Sequence, residues 1–166
     1  ALLSREVDMV YSVPPQDIAR IKQPPCQKIL QTPEPRTIYL GFDQSRPELP
    51  SSDVKGKNPF KAVRVRQAVA LAIDEQAIAS KVMLGLGHPT WEMWGPGING
   101  YNAALDVRPK VDPAKSKQLL AEAGYPNGFR VGMDCPNDRY VMDEQICTAI
   151  VSMMARVGIK VDLNAQ

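Results

Sequence analysis

Four groups of side chains in this chain have the types and spacing to do chemistry. Lys61, Arg64, Arg66 and Gln67 open the stretch NPFKAVRVRQAVALAIDEQAI (58–78), a basic start to an otherwise apolar run. Such a cluster suits an anion site built on backbone N–H groups, a nucleic-acid contact, or the solvated edge of a packed helix. Asp143 and Glu144 are the nearest approach to a general acid–base pair, but adjacent residues on a helix point apart. Cys135 with His88, both in loop-like surroundings, is the nearest approach to a nucleophile and its base. Finally, GLGHPTWEMWGPGINGYN (85–102) carries Trp91, Trp94 and Tyr101, large apolar surfaces with polar tips, the composition of a ligand cleft.

The bulk numbers narrow these choices. Twenty basic and 18 acidic residues leave a net charge of +2, too balanced to argue for nucleic acid or an acidic membrane surface. No aromatic residues interleave with the basic cluster, which also disfavours nucleic acid. Three cysteines (Cys26, Cys135, Cys147) without a CxxC pair, and a single histidine, make no zinc set, and no metal or cofactor is expected. Cys135 and Cys147 could bridge a strand end to the following helix, but nothing local fixes the separation a disulfide needs, so free, partly buried thiols are expected. The N-terminus ALLSREVDMV lacks the features of a signal peptide, as for a cytosolic chain, a mature one, or one cut from something longer.

The elements that position these residues follow from periodicity. EVDMVYSV (6–13) alternates and predicts a strand near 6–12, stopped by Pro14-Pro15. QDIARIKQ (16–23) predicts a short helix ended by Pro24-Pro25. KILQT (28–32) and RTIYLGF (36–42) predict two more strands, and 43–59 is loop chemistry. Residues 63–83 on one helical wheel place Val65, Ala68, Val69, Ala72, Ala79 and Met83 on one side and Leu71, Ile78 and Val82 beside them. So wide an apolar arc means burial on most sides, and Arg64, lying within it, should seek a carboxylate or carbonyls. Arg64, Arg66 and Asp74 are thus read as structural residues.

DPAKSKQLLAEAGYPNG (112–128) predicts a helix with Asp112 as N-cap, Pro113 in the first turn and Gly124 as terminator. FRVGMD (129–134) alternates as a strand. Met142, Ile146, Ala149, Ile150, Met153 and Val157 form one helix face, which Gly158 ends, and IKVDL (159–163) alternates again. Strand, helix and strand with short joins predict a parallel, right-handed βαβ unit.

The stretch 58–78 resembles the signature helix of family 5 solute-binding proteins, the extracytoplasmic receptors of bacterial ABC importers for peptides, nickel and related solutes. Pro59, Phe60, Arg64, Val65, Arg66, Ala68, Ala72, Ile73 and Asp74 fit its pattern. ALLSREVDMVYSVPPQDI (1–18), RTIYLGFD (36–43), PGINGYN (96–102), DPAKSKQLLAEAGYPNGF (112–129) and MMARVGIKVDL (153–163) match in order and spacing. Ala62 stands where the family usually has a capping Asp, Arg5 where Gly is usual, and Asp43 where Asn is usual.

The resemblance implies an α/β fold, a mixed sheet with packed helices, forming a partial lobe of a type II periplasmic-binding-protein fold. Residues 1–35 would be the tail of lobe one and 36–166 part of lobe two. It implies a periplasmic receptor without catalysis, most simply for peptides, with nickel, opine and sugar as alternatives and a small hydrolase as a remote one. Its partners would be the ligand and an ABC permease in the membrane. Trp94, Tyr101 and Trp91 are the expected ligand contacts. A fragment of this kind should bind weakly alone and self-associate through residues 1–35, where an unpaired apolar strand would seek another edge.

Overall fold

The computed structural model describes residues 1–23, 27–32 and 34–166. Its most regular part is the C-terminal strand–helix–strand unit: β1 (Phe129–Cys135), α5 (Asp143–Arg156) and β2 (Ile159–Ala165). β1 and β2 pair in parallel, from Phe129 opposite Ile159 to Cys135 opposite Ala165. Gly158, with φ 98°, turns the chain from α5 into β2. The free edge of β1 is not left open. An antiparallel bridge joins Ser52 to Val131, Gly132 N–H donates to Ser51 O (2.8 Å) and Asp53 N–H to Arg130 O (3.2 Å). This short strap blunts an edge that would otherwise recruit another strand.

The helices before this unit are α1 (Ile18–Lys22), which buries no residue, and α2 (Val63–Ala72), α3 (Glu75–Ala77) and α4 (Pro113–Glu122), of which α2 and α4 pack against each other. α4 forms as its sequence requires. The Asp112 side chain accepts from Lys115 N–H, Pro113 occupies the first turn, and Gly124 follows at φ 91°. Leu120 is buried on its inner face, and Ser116 donates its hydroxyl to Ala68 O of α2 (2.7 Å). Small residues at this crossing (Ala68, Ser116) let the two backbones approach. Val65, Ala68, Val69 and Ala72 of α2 join Leu119, Leu120, Phe129, Ile146, Val157 and Ile159 in one core. Each large member contributes about 1.5–3 kcal/mol by leaving water. Phe42, Phe60, Phe129 and Tyr125 continue it as an aromatic row, with neighbouring centroids 4.8, 6.0 and 5.1 Å apart.

Several expectations are corrected. Residues 6–12 form bends and irregular chain, with Tyr11 92% exposed. Residues 28–32 and 36–42 join no ladder either; Leu40 and Phe42 instead pack against the core. Alternation makes a strand only where another edge accepts its hydrogen bonds, and among the described residues the regular sheet has two strands. Cys26 and the Pro24-Pro25 stop lie outside the described residues; the short helix before them is present as α1.

The single helix expected over 63–83 is broken. Ile73 has extended dihedrals, and Asp74 caps α3 by accepting from Ala77 N–H (2.8 Å), after which Ile78–Val82 continues as a π-helical segment. The break also corrects Arg64. Ile78 and Val82 fall on its side of the wheel only if the helix runs on through Asp74. Within α2 alone, Arg64 lies at the rim of the apolar stripe, 63% exposed, 3.5 Å from Glu122. A pair this exposed stabilises by about 0–1 kcal/mol.

The cysteines are corrected as well: Cys135 and Cys147 form a disulfide, with Cα atoms 6.5 Å apart. Cys135 ends β1 and Cys147 lies in the second turn of α5, so the short crossover supplies a separation that the sequence alone left open.

Asp143 begins α5 as its anchor. Its carboxylate accepts from Arg139 N–H (2.9 Å), Glu144 N–H (2.9 Å) and Tyr140 N–H (3.3 Å) while its residue is 4% exposed. Burial pushes its pKa up, but these backbone donors together outweigh burial and hold it below the ordinary carboxylate value. Asp143→Ala should therefore cost about 1–2 kcal/mol at neutral pH, since it strands three partly buried backbone donors. A depressed native pKa makes this contribution complete above the ordinary carboxylate range. It is lost as pH falls through the native value. Urea midpoints of the two proteins should differ at neutral pH and converge in strong acid.

Candidate functional site

The basic start of α2 is engaged internally. The Arg66 guanidinium donates to Phe60 O (2.6 Å) and Lys61 O (3.1 Å), and Arg64 faces Glu122. Asn58 serves the same corner, accepting from Phe60 N–H and donating to Asp43 O and Arg46 O. α2 has no side-chain N-cap, as Ala62 implies. An open groove of about 530 Å³ runs past Ala62, Arg64, Gln67 and Glu122. It carries both signs of charge, which does not favour an anion.

The candidates for chemistry form no nucleophile–base pair among the described contacts. Asp143 anchors a helix, Glu144 is exposed beside it, Cys135 is in a disulfide, and His88 is exposed in the loop after the π-helical segment.

The aromatic loop has a defined architecture. Glycines and prolines over 85–102 exclude regular structure, and hydrogen bonds to one carboxylate replace it. Asp106 accepts from Trp91 N–H (2.6 Å), the Thr90 hydroxyl (2.9 Å) and the Tyr101 hydroxyl (3.2 Å). The Trp91 N–H, and next the Thr90 hydroxyl, hold the Asp106 pKa below the ordinary carboxylate value. Partial burial, and then Asp106 itself, hold the Tyr101 phenol above its ordinary value. The polar tip of Tyr101 is thus turned to Asp106, a role the sequence did not indicate.

Trp91 and Trp94 remain 46% and 54% exposed. Trp94 lines a shallow groove of about 280 Å³ with Pro35, Thr37, Met93, Gly95 and Ile98. The Thr37 hydroxyl donates to Met93 O (2.8 Å), tying the segment after Pro35 to the loop. Of the three aromatic residues singled out from the sequence, two therefore present ring surface and one braces the loop. Asp106, which holds this loop, belongs to no motif in the sequence. The extended spacing between Tyr101 and the α4 cap was the available signal.

Helices packed against a parallel βαβ unit, with an exposed aromatic loop that lines a shallow groove, define part of an α/β lobe. The chain belongs to the bacterial extracellular solute-binding proteins of family 5, whose middle-region model matches residues 1–166. Heme-binding protein A of Haemophilus influenzae is 32% identical over 152 residues, 87% of this chain and 25% of its own length. The dipeptide-binding protein of Escherichia coli is 33% identical over 120 residues, 72% of this chain and 20% of its own length. The chain thus spans between 20% and 29% of the length of the curated relatives it matches. A dipeptide-binding protein from Pseudoalteromonas sp. SM9913, solved with Met-Leu, superimposes over 99% of this chain and 31% of its own, with TM-score 0.75 at 22% identity. That likeness shows the fold, part of a lobe of a type II periplasmic binding protein.

Proposed function

We propose that this chain supplies part of the ligand-enclosing structure of a bacterial ABC-importer receptor for short peptides, and that it binds without turnover. The observation that carries this reading is the pair of half-exposed tryptophans on a loop braced by Asp106, above a groove wide enough for a side chain. Flat aromatic surface on a braced loop favours small ligands because little conformational entropy is lost on contact. The dipeptide-binding relative supports peptide over other solutes.

In this reading residues 1–35 belong to one lobe and 36–166 to the other, and ligand shifts the population toward a closed form in which both lobes touch it. The receptor works outside the cytoplasm and delivers its solute to a membrane permease. The Cys135–Cys147 disulfide is consistent with an oxidising compartment. The exposed Met9, Tyr11 and Leu30 give the isolated chain apolar surface through which residues 1–35 self-associate.

One-half of a cleft should bind weakly. With the chain labelled with ¹⁵N, titration of the dipeptide Met-Leu to millimolar concentration should shift the Trp94 indole N–H resonance and leave α5 amides in place. Hemin in a parallel titration separates a peptide from a tetrapyrrole preference. Absence of any shift in the loop removes it as a ligand surface. A micromolar dissociation constant by calorimetry would contradict the need for a second lobe, and peptide turnover would overturn the receptor reading.

A further inference from the structure

The segment that leads from the aromatic loop into α4 runs along the broken end of α2. Breaking a helix strands its last carbonyls. Asp74 N–H, which in an unbroken helix would donate to Ala70 O, is instead directed at the Met153 sulfur (3.3 Å). The stranded carbonyls are taken up from the other side. Arg108 donates through one guanidinium nitrogen to Ala70 O (3.0 Å) and Ile73 O (2.7 Å), and Asp112 N–H donates to Leu71 O (2.9 Å).

The other terminal nitrogen of Arg108 pairs with Glu75 at the start of α3. The guanidinium carbon also lies 5.4 Å from the centroid of the Trp91 ring. Its side chain is 17% exposed. Two residues earlier, Asp106 holds Trp91 N–H, Thr90 and Tyr101. Asp106 and Arg108 thus attach one loop to two helix ends.

We infer that Arg108 is the positioning residue of the tryptophan loop: it uses the unsatisfied carbonyls at the α2–α3 break as a fixed point and sets the Trp91 ring from there. The inference rests on the reading of this loop as a ligand surface, and deepens it. The chemistry calls for arginine. A planar fork can bond two carbonyls and a carboxylate while lying against an indole, and a lysine ammonium offers the charge without that geometry. Cationic charge at the end of α2 is also favoured by the helix dipole. Glu75 depends on this contact, because burial pushes its pKa up and Arg108 only partly offsets it.

The test compares Arg108→Met and Arg108→Lys with the parent chain. Two tryptophans give two indole N–H resonances, assigned by Trp91→Phe. In both variants the Trp91 indole resonance should move toward its random-coil position, and amide exchange over 88–106 should rise at least about tenfold, whereas α5 and β2 keep their protection. Arg108→Lys keeps the charge and disturbs folding least, so it keeps the inference falsifiable if Arg108→Met unfolds. Rescue of the Trp91 signal by lysine would overturn the inference, because charge alone would then suffice. Unchanged loop exchange in both variants would overturn it too.

The Met-Leu titration separates this inference from the functional reading. Read on the loop amides of 88–106, which survive every substitution used, the outcomes are distinct: if Trp94→Ala abolishes the shift that the dipeptide causes in the parent and Arg108→Lys weakens it, both stand. If Trp94→Ala abolishes it and Arg108→Lys leaves it intact, positioning for the ligand is overturned. If the parent loop never responds to the dipeptide while Arg108→Lys still frees Trp91, the functional reading fails and the positioning role stands.

Discussion

Gly128→Ala is expected to remove most of the chain's stability. Gly128 and Gly158 stand side by side where β1 and β2 begin, with positive φ angles of 73° and 98°. A Cβ on Gly128 would sit within the carbonyl group of Gly158 and 2.9 Å from its Cα. Every atom it meets is backbone, so relief requires separating the two strands at their first rung. The left-handed backbone adds about 1–2 kcal/mol, and overpacking about 1–3 kcal/mol or more. A total of roughly 4 kcal/mol approaches the whole stability of a typical domain. Gly124→Ala is the control, since Gly124 has φ 91° and nothing within 4 Å of its added Cβ. It carries the backbone term alone. Urea denaturation should place Gly124→Ala modestly below the parent and Gly128→Ala far below both. Equal midpoints for the two variants would show that the strand starts are not in close approach.

The second large effect concerns the disulfide. Cys135 and Cys147 are 12 residues apart, and closing a loop of that length in the unfolded chain removes conformational freedom equivalent to about 3 kcal/mol. The bond also pins the first half of α5 to the end of β1, where the helix's apolar face is only partly covered: Ala149, Ile150 and Met153 are all half-buried. Cys135→Ala with Cys147→Ala should lower the melting temperature by several degrees. Reductant should do the same to the parent and do nothing further to the double variant. A parent protein whose melting is indifferent to reductant would show that the thiols are free.

Neither of these two effects is legible in the sequence, although the unit that carries them is. The strand–helix–strand unit was readable because its signals are local. Phe129, Val131 and Met133 alternate, Ile146, Ala149, Ile150 and Val157 repeat at helical spacing, and Gly158 closes the helix. The contact between Gly128 and Gly158 joins residues thirty apart, and no periodicity reports it. The disulfide is hidden for the same reason: two cysteines state their spacing along the chain, while their separation in space depends on how β1 and α5 cross.

The candidate site divides in the same way. Composition alone picked out the glycine- and proline-rich loop and its tryptophans, because large aromatics in a segment that cannot be regular have few structural uses. What braces that loop was hidden. Asp106 and Arg108 lie in a segment without pattern, and their partners are a loop fifteen residues earlier and helix ends more than thirty residues earlier.

By itself, then, the sequence determined the α4 cap, the βαβ unit, the aromatic loop and membership of the solute-binding family, all written in short-range order and in motifs kept in sequence. Only the tertiary structure decided that residues 6–12 and 36–42 lack a strand partner, that the α2 helix breaks at Asp74, and that Arg64 faces solvent. It also decided that Cys135 meets Cys147 and that Arg108 ties Trp91 to the broken helix. The physical reason is common to all of these. Hydrogen-bond partners, burial and close approach are supplied by residues distant in the chain, and local preference yields wherever those contacts are worth more than the one or two kcal/mol that propensity provides.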